Sequence, residues 1–143
     1  MKTIEKIISL CEETLPNYNN QIINKNEFIK EIKSGNYPLA IKDGLLNKLS
    51  TMDNAYFFKN EGAILLAQIE KNEALINHIE RKKGEYKGAG GSLMKFVLSK
   101  LKGKQVRLTA QGGNPKLINF YKYFGFKETG EPCSFGVRMI KNN

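Results

Sequence analysis

The stretch EYKGAGGSLMKF, residues 85–96, places three glycines within four positions and then becomes apolar. A helix that begins there leaves its first backbone N–H groups unpaired, and its dipole makes that end partly positive. Phosphate binds at such an end, and Gly88, Gly90 and Gly91 remove the side chains that would keep it from the backbone. Glycines inside a helix cost about 1 kcal/mol each. The stretch therefore predicts a phosphate-binding turn, although glycine-rich turns also form simple corners.

Positive charge is concentrated around this turn. The chain has a net charge of +9, and residues 81–127 hold twelve Lys or Arg against one acid, Glu85. Such a zone attracts anions. From charge alone, a phosphate-bearing cofactor, a nucleic acid and an acidic partner all remain open.

Two other phosphate-binding patterns do not fit the stretch. A Walker A loop ends in Gly-Lys-Ser/Thr, whereas Ser92 here follows two glycines without a lysine. A Rossmann fingerprint requires glycine at the position of Leu93 and follows the first strand of a parallel unit. The glycines therefore belong to a different kind of turn.

Metal-binding residues are sparse in the sequence. Cys11 and Cys133 lie far apart, and His78 is the single histidine. This spacing predicts no metal site. No apolar run is long enough to span a membrane and no export signal opens the chain, so we expect a cytoplasmic protein with free thiols.

The elements that position the turn follow from apolar periodicity. Residues 1–15 show a helical stripe that stops at Pro16. NKNEFIKEIKSG predicts a second helix, capped by Asn24 or Asn26 and ended by Gly35. A short third helix is predicted within YPLAIKDGLLNKLSTMD.

The period changes at Ala55. Three short apolar runs with brief turns predict an antiparallel meander over 55–59, 63–70 and 74–82. The predicted elements after it are a helix from Gly90 to Lys102, a strand QVRLTA, a helix from Asn114 to Tyr123, and strands at GFKET and SFGVRMI. The fold class is thus α/β, with a mixed (α+β) sheet in which an antiparallel meander is followed by β-α-β-α-β.

Two motifs in this order resemble those of the GNAT superfamily of N-acetyltransferases. The family's acetyl-CoA motif, Arg/Gln-x-x-Gly-x-Gly/Ala, stands here as residues 85–90. The second signature is an Asn, a helix with a Tyr near its end and then Gly-Phe, here Asn114, Tyr121 and Gly125-Phe126. Together the motifs cover residues 55–140 and are in the family's spacing.

The resemblance implies a GNAT-like fold with splayed central strands in one domain, 1–143. Residues 1–54 would be a helical substrate-side region and 55–143 the acetyl-CoA-binding core. The pantetheine arm would lie in the gap between the splayed strands, and main-chain amides of 86–91 would hold the pyrophosphate. The implied cofactor-binding residues are Ile79, Glu80, Arg81, Glu85, Tyr86, Lys87, Gly88, Ala89, Gly90, Gly91, Ser92, Asn114 and Tyr121.

The resemblance also implies direct attack of an amine on the thioester. Tyr121 aligns with the family tyrosine that protonates the leaving thiolate, and a phenol of pKa about 10 can do so for a thiol of about 8.5. The alternative role of Tyr121 is packing. Glu70 and Glu80 are the carboxylate candidates for the general base, with His78 as a third group. Unbroken strand alternation would put His78 and Glu80 on one face, shared with Ile76.

The sequence departs from the family pattern at Glu85, where Arg or Gln is usual. A carboxylate beside a pyrophosphate is unfavourable unless it points to solvent, and Lys83 or Lys87 could compensate. The family's first strand is also not evident. Pro115 after Asn114 predicts that Asn114 caps its helix, whether or not it contacts the cofactor.

The sequence leaves the substrate open. A small amine, a lysine side chain, a protein N-terminus and a charged tRNA are all consistent with it, and an acidic substrate fits the basic zone. A homodimer is also left open. The rival hypotheses are a basic nucleic-acid-binding module and a catalytically inactive GNAT-like scaffold.

Overall fold

The computed structural model describes residues 18–143, except for the side chains of residues 39–41. The helix predicted over residues 1–15 and Cys11 lie outside the described residues. The elements in chain order are β1 (Gln21–Ile23), α1 (Lys25–Ser34), α2 (Leu39–Leu49), β2 (Ala55–Lys59), β3 (Ala63–Ile69), β4 (Glu73–Arg81), α3 (Ala89–Lys100), β5 (Gln105–Gln111), α4 (Pro115–Tyr123), β6 (Lys127–Glu128) and β7 (Gly136–Asn142).

The strands form one seven-stranded sheet in the order β1-β2-β3-β4-β5-β7-β6. Every neighbouring pair is antiparallel except β4 and β5, which run parallel. The predicted mixed sheet, with a meander before the β-α-β-α-β order, is confirmed. The meander strands agree with the prediction to within one residue.

The strand β1 was missed by the sequence analysis. It has three residues, pairs antiparallel with β2, and buries only Ile23. A strand this short shows no alternation that periodicity could detect. At the other end of the chain, β7 begins two residues later than predicted and β6 has only two residues.

Each face of the sheet carries its own apolar core. On the α3 face, Leu65 and Ile76 pack with residues of α3 and α4 such as Leu93. On the α1 face, residues of β1–β3 such as Leu66 pack under α1 and α2, against Phe28 and others. Adjacent residues of β3 therefore enter opposite cores, as strand alternation requires.

A β-bulge interrupts the pairing of β4 with β3. Leu66 lies opposite His78 and Ala67 lies opposite Ile76, so Asn77 is an extra residue in β4. Such a residue shifts the alternation of the strand beyond it.

The bulge decides which side chains of β4 face the helices. Ile79 packs on the α3-face core, as Ile76 does. His78 and Glu80 lie opposite residues of the α1-face core, so they share the α1 face. The expectation that Ile76 shares their face is wrong, because unbroken alternation was assumed across the bulge.

The central strands diverge, as predicted. β4 and β5 pair only between residues 73–76 and 105–108. Beyond that point β4 follows β3 to Arg81, while β5 follows β7 to Gln111. A gap therefore opens between two strands of a continuous sheet.

Candidate active site

The helix α3 begins at the glycine-rich turn, one residue earlier than predicted. Gly88 is its N-cap and has φ +81° and ψ 0°. This left-handed conformation is strained for residues with a Cβ, so glycine suits the position.

The backbone amides of the turn are partly used inside it. The N–H of Tyr86 donates to the carbonyl of Gly84 at 3.1 Å, and that of Ala89 donates to Tyr86 at 3.0 Å. Four of the six amides expected to bind pyrophosphate have no acceptor among residues 18–143, namely those of Lys87, Gly88, Gly90 and Gly91. The turn thus offers a narrower set of donors than the sequence suggested.

A cavity of about 420 Å³ lies against this turn. A Cβ built on Gly90 would meet no atom within 4 Å, so the space beside that residue is open. Six of the predicted cofactor-binding residues line the cavity: Ile79, Glu80, Arg81, Gly88, Gly90 and Gly91.

The opposite wall of the cavity comes from α4 and was missed by the sequence analysis. Its residues are Leu117, Phe120 and Tyr123 of α4, and Phe124 directly after the helix. Their spacing of three and four residues marks one face of a helix, which is the signal that could have identified them. The cavity therefore combines a polar backbone mouth with an apolar side.

A network of polar side chains fixes the first turn of α3. The fully buried Asn60 donates to the carbonyl of Ala89 at 2.9 Å and to the Asn20 side chain at 3.0 Å. Asn20 in turn donates to the Ser92 hydroxyl at 3.1 Å. The structure thus uses Ser92 to anchor the helix, and Asn20 and Asn60, which the sequence analysis missed, hold it.

The charged residues near the turn are arranged unevenly. Glu85 is exposed to solvent, which meets the condition for an acid to be tolerated near a pyrophosphate. Lys83 and Lys87 are exposed as well. Lys82 is instead paired with Glu31 at 2.8 Å and lies 5.9 Å from the centre of the Tyr86 ring.

Tyr121 lies at the gap between β4 and β5, beside a second cavity of about 250 Å³. Its side chain is 5% exposed. Burial, and then the charge of Glu80, raise the pKa of Tyr121 to about 12. Its phenol is therefore protonated at neutral pH and has a proton to give.

His78 and Glu80 line the same gap. Nε2 of His78 lies 3.4 Å from Oε2 of Glu80, and both side chains are partly buried. The structure thus brings Tyr121 and Glu80 to one cavity, with His78 beside the carboxylate.

Tyr37 is a buried tyrosine that the sequence analysis missed. It lies between α1 and α2 and is 3% exposed. Burial, followed by the charges of Glu31 and Glu80, raises the pKa of its hydroxyl. Glu80 therefore acts on two tyrosines, Tyr121 from α4 and Tyr37 from the α1–α2 connection.

The α1–α2 connection is fastened to the segment that leads into the glycine turn. Lys83 N–H donates to the carbonyl of Asn36 at 2.8 Å, and the Asn36 side chain donates to the carbonyl of Lys83 at 3.3 Å. Glu31 adds ion pairs to Lys59 at 3.0 Å and Lys82 at 2.8 Å. Side chains distant in sequence thus hold the α1 side of the site.

Glu70 is separated from the other candidates. It lies in the turn before β4, whereas Glu80 is near the end of that strand. At about 3.3 Å per residue, the strand places them roughly 20 Å apart or more. Asn114 also lies outside both cavities. As predicted, it caps α4, accepting from the Lys116 N–H at 3.0 Å.

Residues 18–143 contain neither a candidate metal cluster nor a candidate membrane span. This part of the chain contains no group of three or more His, Cys, Asp or Glu that could hold a metal ion. None of its helices combines the length and apolar character needed to cross a membrane.

Solved structures share this fold. An acetyltransferase from Corynebacterium glutamicum, described as histone acetyltransferase HPA2 and related acetyltransferase, aligns with a TM-score of 0.65 at 9% identity, over 85% of this chain and 94% of that one. The PaiA N-acetyltransferase from Thermoplasma acidophilum, in complex with coenzyme A, aligns with 0.60 at 15%, over 87% and 99%. The ribosomal-protein-S18-alanine N-acetyltransferase from Escherichia coli aligns with 0.57 at 17%, over 85% and 90%.

Sequence comparison gives no match. No protein-family model matches the chain, and no curated protein matches it either. The described fold is nevertheless that of the GNAT N-acetyltransferases, as the two sequence motifs predicted.

Proposed function

We propose that this protein is an acetyl-CoA-dependent N-acetyltransferase that moves the acetyl group directly to a primary amine in a ternary complex. One observation carries the proposal: the gap between β4 and β5 opens beside the glycine mouth of α3, and Tyr121 and Glu80 both line it. The proposed phosphate-binding end, the proposed acid and the proposed base thus lie at one break in the sheet.

The groups around the two cavities match the chemistry of acetyl-CoA. The amides of Gly88, Gly90 and Gly91 offer donors for a pyrophosphate at the positive end of a helix. The unpaired edges of β4 and β5 offer backbone groups to an amide-bearing arm. A structural neighbour crystallised with coenzyme A supports the assignment.

The proposed chemistry requires two proton transfers by this chain. Glu80, with His78 beside it, would accept the proton of the attacking amine. As the C–N bond forms and the C–S bond breaks, Tyr121 would give its proton to the departing sulfur. The protonated state of Tyr121 at neutral pH supports this role.

The substrate amine would approach from the α1 face, because His78 and Glu80 lie on that face. Glu70 has no part in the proposed reaction, since it lies at the opposite end of β4. A structural neighbour that acetylates an alanine of a ribosomal protein is consistent with an amine on a protein N-terminus.

The test is an amine panel with acetyl-CoA, monitored by release of free thiol, together with calorimetry of coenzyme A binding. We expect binding with thermal stabilisation of a few degrees and turnover with at least one class of amine. Glu80→Gln should lower kcat by about 100-fold, whereas the matched variant Glu70→Gln should leave it unchanged. Absence of binding at millimolar ligand, or equal effects of the two variants, would contradict the proposal.

A further inference from the structure

Two arginines on the α1 face share one carboxylate next to the gap. Nη1 of Arg107, on β5, lies 3.6 Å from Oε1 of Glu131, and Nη1 of Arg138, on β7, lies 3.2 Å from its Oε2. Glu131 belongs to the β6–β7 connection. The guanidinium groups of Arg107 and Arg138 thus form a binding position for one carboxylate, called here the carboxylate seat.

This seat lies beside the proposed reaction centre. Thr109 lines the cavity at the gap and lies directly opposite Arg138 in the β5–β7 ladder. Residues opposite each other in a ladder have Cβ atoms about 5 Å apart. Arg107 is two residues before Thr109, so it lies on the same face of β5. A molecule whose amine enters the gap can reach both arginines.

The arginines are held in place independently of Glu131. Nε and Nη2 of Arg107 donate to the Gln105 side chain at 3.3 and 3.1 Å. Arg138 interacts with Cys133 as well. The guanidinium groups therefore keep part of their positioning if the shared carboxylate leaves.

Glu131, which occupies the carboxylate seat in this structure, is weakly held. The side chains of Arg107, Arg138 and Glu131 are all close to half exposed, at 46%, 47% and 45%. Ion pairs at such exposure contribute little to stability, because solvent screens both charges. A carboxylate brought by a bound substrate could replace Glu131 at small cost.

We propose that Arg107 and Arg138 select substrates whose amine is accompanied by a carboxylate, which takes the seat occupied here by Glu131. This inference rests on the proposed N-acetyltransferase function and names its substrate class. The carboxylate could be that of a free amino acid or of an acidic residue following a peptide N-terminus. The chemistry of recognition is the same, since both present a planar anion to paired guanidinium groups.

Kinetics with substrates that differ by one carboxylate test the proposal. The peptide arm compares Ala-Glu-Ala amide with Ala-Gln-Ala amide, and the amino-acid arm compares alanine with alaninamide. We expect kcat/KM to favour the acidic member of one arm by about two- to fivefold, mainly through KM. The arm that shows the preference identifies the source of the carboxylate.

Variants distinguish recognition at the carboxylate seat from a general effect of positive charge on the protein surface. Arg107→Gln and Arg138→Gln should each remove most of the preference and leave the neutral substrate unchanged. Lys127→Gln, which removes an equal charge from exposed β6, should retain it. Glu131→Gln should raise kcat/KM for the acidic substrate about two- to fivefold, because the competing carboxylate is gone.

A binding measurement works without turnover. In protein labelled with 15N, the Arg107 and Arg138 Nε–H signals should shift when the acidic peptide is added, but not with the neutral one. No difference between these titrations, or equal losses for acidic and neutral substrates in the arginine variants, would overturn the inference. Selective shifts without acetylation of any amine would instead keep the carboxylate seat and reject the proposed function.

Discussion

The two sides of the gap are built in different ways. On the α3 side, the mouth is one local stretch of backbone, in which Gly88 caps the helix and Gly90 leaves the space beside it open. On the α1 side, the surroundings of Glu80 are side chains brought from distant segments, including Tyr37 and Glu31. The α3 side presents main-chain groups, which Asn20 and Asn60 hold in place, while the α1 side presents side chains that long-range contacts bring together.

This difference separates two kinds of specificity. A site made of amides and a helix dipole recognises the phosphates that every coenzyme A molecule carries. A site made of side chains can change its substrate through single substitutions without changing the fold. The two sides should therefore fail independently when they are mutated.

The largest expected effect is on the α3 side. Gly90→Glu places a carboxylate where the phosphates are expected, and charge repulsion in a confined site should weaken coenzyme A binding about 100-fold or more. Gly44→Glu is the matched control, because a Cβ at Gly44, on α2, would also meet no atom within 4 Å. Calorimetry on both folded variants measures the effect, and unchanged affinity in Gly90→Glu would exclude the turn as the phosphate site.

The second largest effect concerns the proposed acid. Tyr121→Phe should lower kcat by about 100-fold, while the Kd of coenzyme A stays within about twofold, since only the hydroxyl is lost. Tyr56→Phe, at an exposed site of β2, controls for loss of a phenol. Undiminished single-turnover rates in Tyr121→Phe would leave Tyr121 with a packing role.

The raised pKa of Tyr121 should also make the stability of the protein depend on pH. Between pH 10 and about 12 the unfolded chain releases this proton while the folded chain keeps it, so stability should fall as pH rises. The slope from this one group is about 1.4 kcal/mol per pH unit. Denaturant titrations of wild type and Tyr121→Phe should differ by this slope, and parallel curves would contradict the raised value.

A smaller effect is expected on the α1 side. Burial alone would raise the pKa of Glu31, but hydrogen bonds and charge from Lys82 and Lys59 outweigh it and lower the value. Glu31→Gln should therefore destabilise the protein by about 1–3 kcal/mol in urea titrations at pH 7. Because the pKa is lowered, this contribution should be lost as the pH falls below 4.5.

The same variant tests the independence of the two sides. Coenzyme A affinity in Glu31→Gln should match that of the wild type. The control variant Glu61→Gln, which alters an exposed turn, should have the stability of the wild type. A parallel loss of stability and coenzyme A affinity would show that the sides act as one unit.

The smallest effect concerns the departure from the family motif. Glu85 is exposed, so solvent screens its charge. Glu85→Gln should improve coenzyme A affinity by less than about fivefold. A much larger gain, measured at 0.1 M salt, would show that the carboxylate faces the bound phosphates.

The parts of the fold that sequence predicted are those encoded locally. The meander, the cap at Asn114 and the start of α3 each follow from neighbouring residues, and each was placed to within one residue. The short strand β1 was missed, because its formation depends on pairing with β2 rather than on its own pattern.

The site divides in the same manner. The glycines and Tyr121 belong to motifs, whereas Tyr37, Asn20 and Asn60 act through contacts with residues far away in sequence. Glu70 and Glu80 were alternative candidates for the base, and only the structure shows that Glu70 precedes β4 while Glu80 lies near the end of that strand. Proximity in three dimensions was the missing information.

Asn77 gives the strand β4 two different phases. Before Asn77 the even-numbered residues, such as Ile76, face α3 and α4, whereas after it the odd-numbered Ile79 does so. Since Asn77 is accommodated outside the ladder, Ile79 follows Ile76 into the apolar interior, and His78 and Glu80 face the other side. Because His78 and Ile76 already pair with the consecutive residues Leu66 and Ala67, deleting Asn77 would leave His78 and Glu80 on the α1 face and Ile79 in the apolar core, while filling in the ladder beside them.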